Sequence, residues 1–263
     1  MNLFDTAKSC LDACDVEQKL SLTEQAAAAW LAGELKLVSD SAVTAIGEAG
    51  HPHKPVLVAP RELPKRSPFT DKGRAALIHA LTHIEFNAIN LAWDAVYRFR
   101  DMPEDFYGDW IRVAREEAYH FGLLRGHLRK LGHDYGDFPA HNGLWEMAIK
   151  TADDPLSRMA LVPRVLEARG LDVTPAMMQG LHKAGDQPAV EILRIILRDE
   201  TGHVEIGTRW FRHCCQQRKL DADATFRDLI EKYMHGSIHG PFHTEARREA
   251  GFSDNEMEYL ESL

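Results

Sequence analysis

Apolar positions recur at steps of three and four along most of the chain, while alternating runs of Val, Ile and Thr are scarce. Such steps put side chains on one face of an α-helix, so the pattern predicts an all-α protein. Residues 1 to about 48 read as one or two helices, with AAAAWLAGELKLV as the strongest part. Residues 49–70 hold five prolines. Proline removes backbone donors and constrains its predecessor, so this stretch is expected to be an extended connector lying along the core surface. Four longer helices follow: about Asp71 to Arg100, Pro103 to about Leu131, Leu144 to Arg169, and Pro188 to Lys219. The third is expected to break near Asp153-Asp154-Pro155 and at Pro163, and a short helix near 175–184 precedes the fourth. Helical pieces near 222–235 and 254–262 flank HGSIHGPFH. The expected domains are an N-terminal part (1–70), a helical core (71–220) and a C-terminal helical extension (221–263).

The core stripes are interrupted by acids and histidines at a regular spacing. Glu117-Ala-Tyr-His120 lies on the second long helix and Glu200-Thr-Gly-His203 on the fourth. Positions i and i+3 are about 300° apart on a helix, so each Glu and His project from one face, one turn apart. Val113, Leu124 and Leu128 share the face of Glu117 and His120; Leu193, Ile196, Val204 and Gly207 share that of Glu200 and His203. A carboxylate placed among apolar neighbours needs a proton or a cation. The other two helices each offer one such carboxylate, Glu85 between Leu81 and Ile89 and Glu167 within ALVPRVLEARG. Glu85 precedes Glu117 by 32 residues and Glu167 precedes Glu200 by 33, so two helical hairpins each supply a lone Glu and then a Glu-x-x-His. Four Glu and two His from four helices form the ligand set of di-iron carboxylate bundles. Their charge of −4 balances two divalent ions, and carboxylate oxygens with imidazole suit Fe or Mn better than tetrahedral Zn.

Glu116 and Asp199 directly precede the motifs and are candidates to hold the metal-bound histidine of the opposite hairpin. His79 and His83 are four apart, but His83 sits about 200° around the helix from Glu85 and is expected to face away. His235, His239 and His243 lie among Gly236, Gly240 and Pro241 and read as solvated loop residues. Tyr119 and Trp210 read mainly as packing, with lining a pocket or carrying electrons as the alternative, and Met147, Met159, Met177 and Met178 read as core filler. Gly202 either leaves room beside the site or marks a close helix contact.

Bulk properties narrow the partners. A net charge of −9 opposes broad nucleic-acid binding, although Lys54, Arg61, Lys65, Arg66, Lys72 and Arg74 cluster in one stretch. No run reaches the length of about 20 apolar residues needed to span a bilayer. The first 20 residues lack the pattern of a signal peptide, so no membrane partner and a cytoplasmic location are expected. Cys10, Cys14, Cys214 and Cys215 lack C-x-x-C spacing and are expected as free thiols.

The stretches GRAALIHALTHIEFNAINLAWDA, REEAYHFGLLRGHLRKLGHDYGDFPAHNGLWE, LVPRVLEARGLDVTP, ILRDETGHVEIGTRWF and PFHTEARREAGF resemble the ferritin-like superfamily. More closely they resemble one uncharacterised bacterial domain family within it, from about residue 60 to the C-terminus. The resemblance to the di-iron tRNA hydroxylases and rubrerythrin-like proteins is more distant. It implies a ferritin-like four-helix bundle with extra N- and C-terminal helices. It also implies two Fe ions, with Mn as the alternative, on Glu85, Glu117, His120, Glu167, Glu200 and His203. The motifs EEAYH and DETGH lack the Arg before His of bacterial multicomponent monooxygenases, which limits any transfer of their substrate chemistry.

The leading expectation is an oxidoreductase of the hydroxylase or monooxygenase type. It would use O2 and an electron donor on an unidentified small molecule or modified nucleotide. Two alternatives stay open: a peroxidase, ferroxidase or manganese-catalase-like protein acting on O2 or peroxide without an organic substrate, and a non-enzymatic metal-binding module. The oligomeric state is open, a homo-oligomer included.

Overall fold

A computed structural model of the protein describes residues 1–38, 42–234 and 236–263. Its regular structure is helical, with two isolated bridges, Asn2 with Lys36 and Leu57 with Ala140. The described chain forms two compact units, Met1–Ile149 and Lys150–Leu263.

In the first unit, α1 (Leu3–Asp12) and α2 (Val16–Leu31) precede two long helices, α3 (Asp71–Arg98) and α4 (Glu104–Lys130); α5 (Gly143–Lys150) ends the unit. α3 and α4 pack along each other, with α1 on α3 and α2 on α4. Thr70 caps α3 by accepting the Gly73 amide at 3.2 Å, and Asp71 favours the positive end of the helix dipole. The sequence expected helix through AAAAWLAGELKLV, but α2 stops at Leu31. Gly33 turns left-handed (φ 70°) and the Glu34 amide bonds back to Ala29 O. Residues 34–38 then run beside the N-terminus, with Leu3 N donating to Lys36 O at 3.0 Å. The proline-rich connector carries one short 3₁₀ turn at Pro60–Glu62, and it lies against the loop after α4 through Val58 N to Ala140 O at 2.8 Å.

Within the second unit, α6 (Pro155–Leu161) runs into a single π turn, Val162–Glu167, and on into α7 (Ala168–Lys183). α8 (Gln187–Arg218) is the longest helix, and both α6 and α7 pack on it. The C-terminal part adds α9 (Ala222–Met234), α10 (Thr244–Glu249) and α11 (Asp254–Glu261). The break expected at Pro163 is instead absorbed by the wide π turn, in which the missing proline N–H is tolerated. Likewise Pro175 sits inside α7 rather than opening a separate helix; Leu171, Asp172, Thr174 and Leu181 are buried around it and hold the helix through the lost bond. The close helix contact considered for Gly202 lies at Gly207, where any Cβ would stand 2.4 Å from Pro163 Cγ; nothing lies within 4 Å of a Cβ at Gly202.

Met147 and Met159 are buried as expected, but Met177 and Met178 are only partly so. All four cysteines are free thiols. Of the tail histidines, His243 caps α10 by accepting the Ala246 amide, and His235 lies outside the described residues. No helix among the described residues is long and apolar enough to cross a membrane.

Candidate metal centre

Each unit carries one Glu plus one Glu-x-x-His. In the first, Glu85 stands in the middle of α3, and Glu117 and His120 stand one turn apart on α4. All three are buried, Glu117 and His120 fully. One potential ligand atom from each lies within 4.8 Å of the others, so this group could hold a metal ion. His120 Nδ1 is 3.4 Å from Glu117 Oε2 and 3.6 Å from Glu85 Oε2, beyond ordinary hydrogen-bond length yet well inside ion-pair range. Burial works against a charged ring, but the two carboxylates override it and push the His120 pKa up to about 11. The pocket therefore attracts positive charge, which a proton on His120 supplies and a metal ion would replace.

Aromatic packing sets this geometry. Phe86 and Phe121 each follow a candidate ligand, and their rings meet at 5.7 Å across α3 and α4. Tyr135, from the loop after α4, touches both, with ring centroids 5.3 Å and 5.2 Å away. Its hydroxyl lies 2.9 Å from His83 Nδ1, and the Gly136 amide donates to His79 Nε2 at 2.9 Å. His79 and His83 thus secure this loop, and burial pushes both pKa values down to about 4. Tyr135 was not singled out from sequence. Only its place among the aromatics of HDYGDF marks it.

In the second unit, Glu200 and His203 stand one turn apart on α8, with His203 Nδ1 3.6 Å from Glu200 Oε1. His203 is buried and Glu200 nearly so. Glu167 is the last residue of the π turn, which packs on α8 at Gly207. Such turns inside α-helices recur at functional sites. Asp199 pairs with its neighbour Arg198 at 2.8 Å.

Glu116 lines a groove of about 750 Å³ between α2 and α4, together with Trp30, Leu31, Ile111 and Tyr119. Tyr119 is 54% exposed and lines this groove, the alternative to packing that the sequence left open; Trp210 is buried. The groove follows the stripe Gly108, Arg112, Arg115 and Tyr119, about 200° around α4 from Glu117. It opens on the far side of the helix from the ligand candidates.

The chain matches, over residues 12–258, the family described as "Protein of unknown function (DUF455)". The chain belongs to this family. A DUF455 relative from Haemophilus influenzae, described as "Uncharacterized protein", is 52% identical over 219 residues, covering 81% of this chain and 76% of the relative. No solved structure matches the chain.

Proposed function

We propose that the two ligand sets serve one carboxylate-bridged dinuclear centre, of the di-iron type, in a ferritin-like four-helix bundle. The observation that carries the reading is the buried group Glu85, Glu117 and His120, whose acids demand a cation. The same residue types recur on α8 and the π turn, 32 and 33 residues apart within each pair. In this reading Glu85, Glu117, Glu167 and Glu200 would supply carboxylate oxygens, and His120 and His203 would bind through imidazole nitrogen. Asp199 would orient a histidine, whereas Glu116 lines the groove on the other face of α4. Two iron ions, with manganese as the alternative, would bring one- and two-electron chemistry with O2 or peroxide that no side chain here provides. The buried helices would keep water out and fix the carboxylates.

The activity that fits best is O2-dependent oxidation of a small organic molecule or a modified nucleotide, with an external electron donor. The test is O2 uptake by the reduced, iron-loaded protein under a supplied reductant. Uptake in step with oxidation of an added organic compound supports the hydroxylase reading. Multi-turnover Fe(II) oxidation, or O2 release from peroxide, would replace it with a ferroxidase or catalase. Bound metal with none of these activities would leave a metal-binding module. For the nucleotide class, salt-sensitive tRNA binding through the basic run from Lys54 to Arg74 is required, and no binding at low salt removes it.

A further inference from the structure

Arg164 lies wholly inside the second unit, three residues before Glu167 in the π turn. Its Nε donates to Thr208 Oγ1 at 3.1 Å and its Nη2 to Glu256 Oε2 at 2.7 Å. The guanidinium lies over Phe211, Phe226 and Phe252, at 4.7, 4.3 and 4.4 Å from their ring centres. Glu256 Oε2 also accepts the Ser253 amide at 2.9 Å, so the acid that caps α11 is also the counter-ion of Arg164.

We propose that Arg164, held by Glu256 and Thr208, is a positioning residue that fixes the π turn on α8 and so sets where Glu167 stands relative to Glu200 and His203. The inference rests on reading those three residues as metal ligands. A π turn inserts one residue into the helix and rotates everything after it by about 100°. Glu167 closes that turn, so its direction depends on the turn keeping its shape. Two contacts hold the turn to α8. Pro163 rests on Gly207, with no room for a Cβ, and Arg164 bonds Thr208. Gly207 is one helical turn beyond His203, so the clamp sits next to the candidate ligands on both elements. A buried ion pair adds little net stability compared with apolar residues of the same volume. What a hydrogen-bonded guanidinium adds is direction, because its donors meet Thr208 and Glu256 at fixed angles.

The experiment is an anaerobic cobalt(II) titration of the full chain, read by bound metal and by the ligand-field spectrum, with folding checked by circular dichroism. Thr208→Val keeps the shape and removes the acceptor; Glu256→Gln keeps the shape and removes the charge. Leu229→Ala, a buried truncation in α9, supplies a control of comparable stability loss. Wild-type protein is expected to take two equivalents. Thr208→Val and Glu256→Gln are expected to hold one within threefold of wild type and to weaken the other at least tenfold, with a changed spectrum for that ion. Leu229→Ala should keep both. Should Glu256→Gln fail to fold, Thr208→Val alone decides. Wild-type affinity and spectrum in folded Thr208→Val, or equal loss in Leu229→Ala, overturns the inference while leaving the ligand reading in place. Wild-type protein that takes up no metal overturns both.

Discussion

Two glycines five residues apart on α8 make opposite predictions. At Gly202 an added Cβ meets nothing within 4 Å, so Gly202→Ala changes only the backbone's freedom. Alanine is favoured over glycine inside a helix by about 1 kcal/mol, and stability should rise by about that much. At Gly207 the same gain is opposed by sterics. The new Cβ would lie 2.4 Å from Pro163 Cγ and 2.5 Å from Pro163 Cβ. Carbon atoms pack at about 3.5–4.0 Å, so the ring must retreat by about 1 Å. Pro163 cannot swing away as a flexible chain end could, because its ring is closed onto the π turn. Overpacking of this kind costs about 1–3 kcal/mol, which outweighs or cancels the helix gain. Gly207→Ala is therefore expected to fall about 1–3 kcal/mol below Gly202→Ala. Urea denaturation followed by circular dichroism measures the difference, and hydrogen exchange along α8 locates it. Equal stabilisation of the two variants, or Gly207→Ala above wild type, would refute the close contact between α8 and the π turn.

Other predictions concern titration and buried charge. His79 and His83 have folded pKa values near 4 against 6.5 in the open chain, so the unfolded state binds their protons first as pH falls. Their contribution is intact above about pH 6.5 and fades towards pH 4, by about 3 kcal/mol each, and denaturation midpoints across that range should lose the slope in His79→Gln/His83→Gln. His120 runs the other way. In metal-free protein its contribution is full below about pH 6.5 and is lost as pH rises towards 11, so metal uptake at pH 7 should release its proton, measurable with an indicator dye. Lys19 is buried and donates to Cys10 O, Leu11 O and Asn90 Oδ1 at 2.8, 3.1 and 2.6 Å, and burial pushes its pKa down to about 8. Lys19→Met leaves those acceptors without their donor and should cost about 3 kcal/mol in chemical denaturation; unchanged stability would remove its role in closing α1.

The long helices could be read from the chain because their apolar stripes recur at steps of three and four over many turns. α3 begins at the expected Asp71, and α8 ends one residue before the expected Lys219. The Glu and His positions stood out for the same reason, since each interrupts a stripe that would otherwise be apolar. What escaped depends on partners far along the sequence. Nothing near Pro163 announces a π turn, because the glycine that receives it is at position 207. Arg164 looks like any helical arginine until Glu256, 92 residues away, meets it in the core. The end of α2 is the local exception. Gly33 followed the apolar run AAAAWL closely enough to mark a stop, and the hydrophobic pattern through Leu37 and Val38 obscured it.

The most direct test of the central claim is metal stoichiometry: purified chain titrated with Fe(II) without oxygen, with bound iron counted for wild type, Glu117→Ala and Glu200→Ala. A dinuclear carboxylate centre predicts two irons per chain in wild type and loss of bound iron in both variants. One tightly held zinc, or iron retained in both variants, contradicts it.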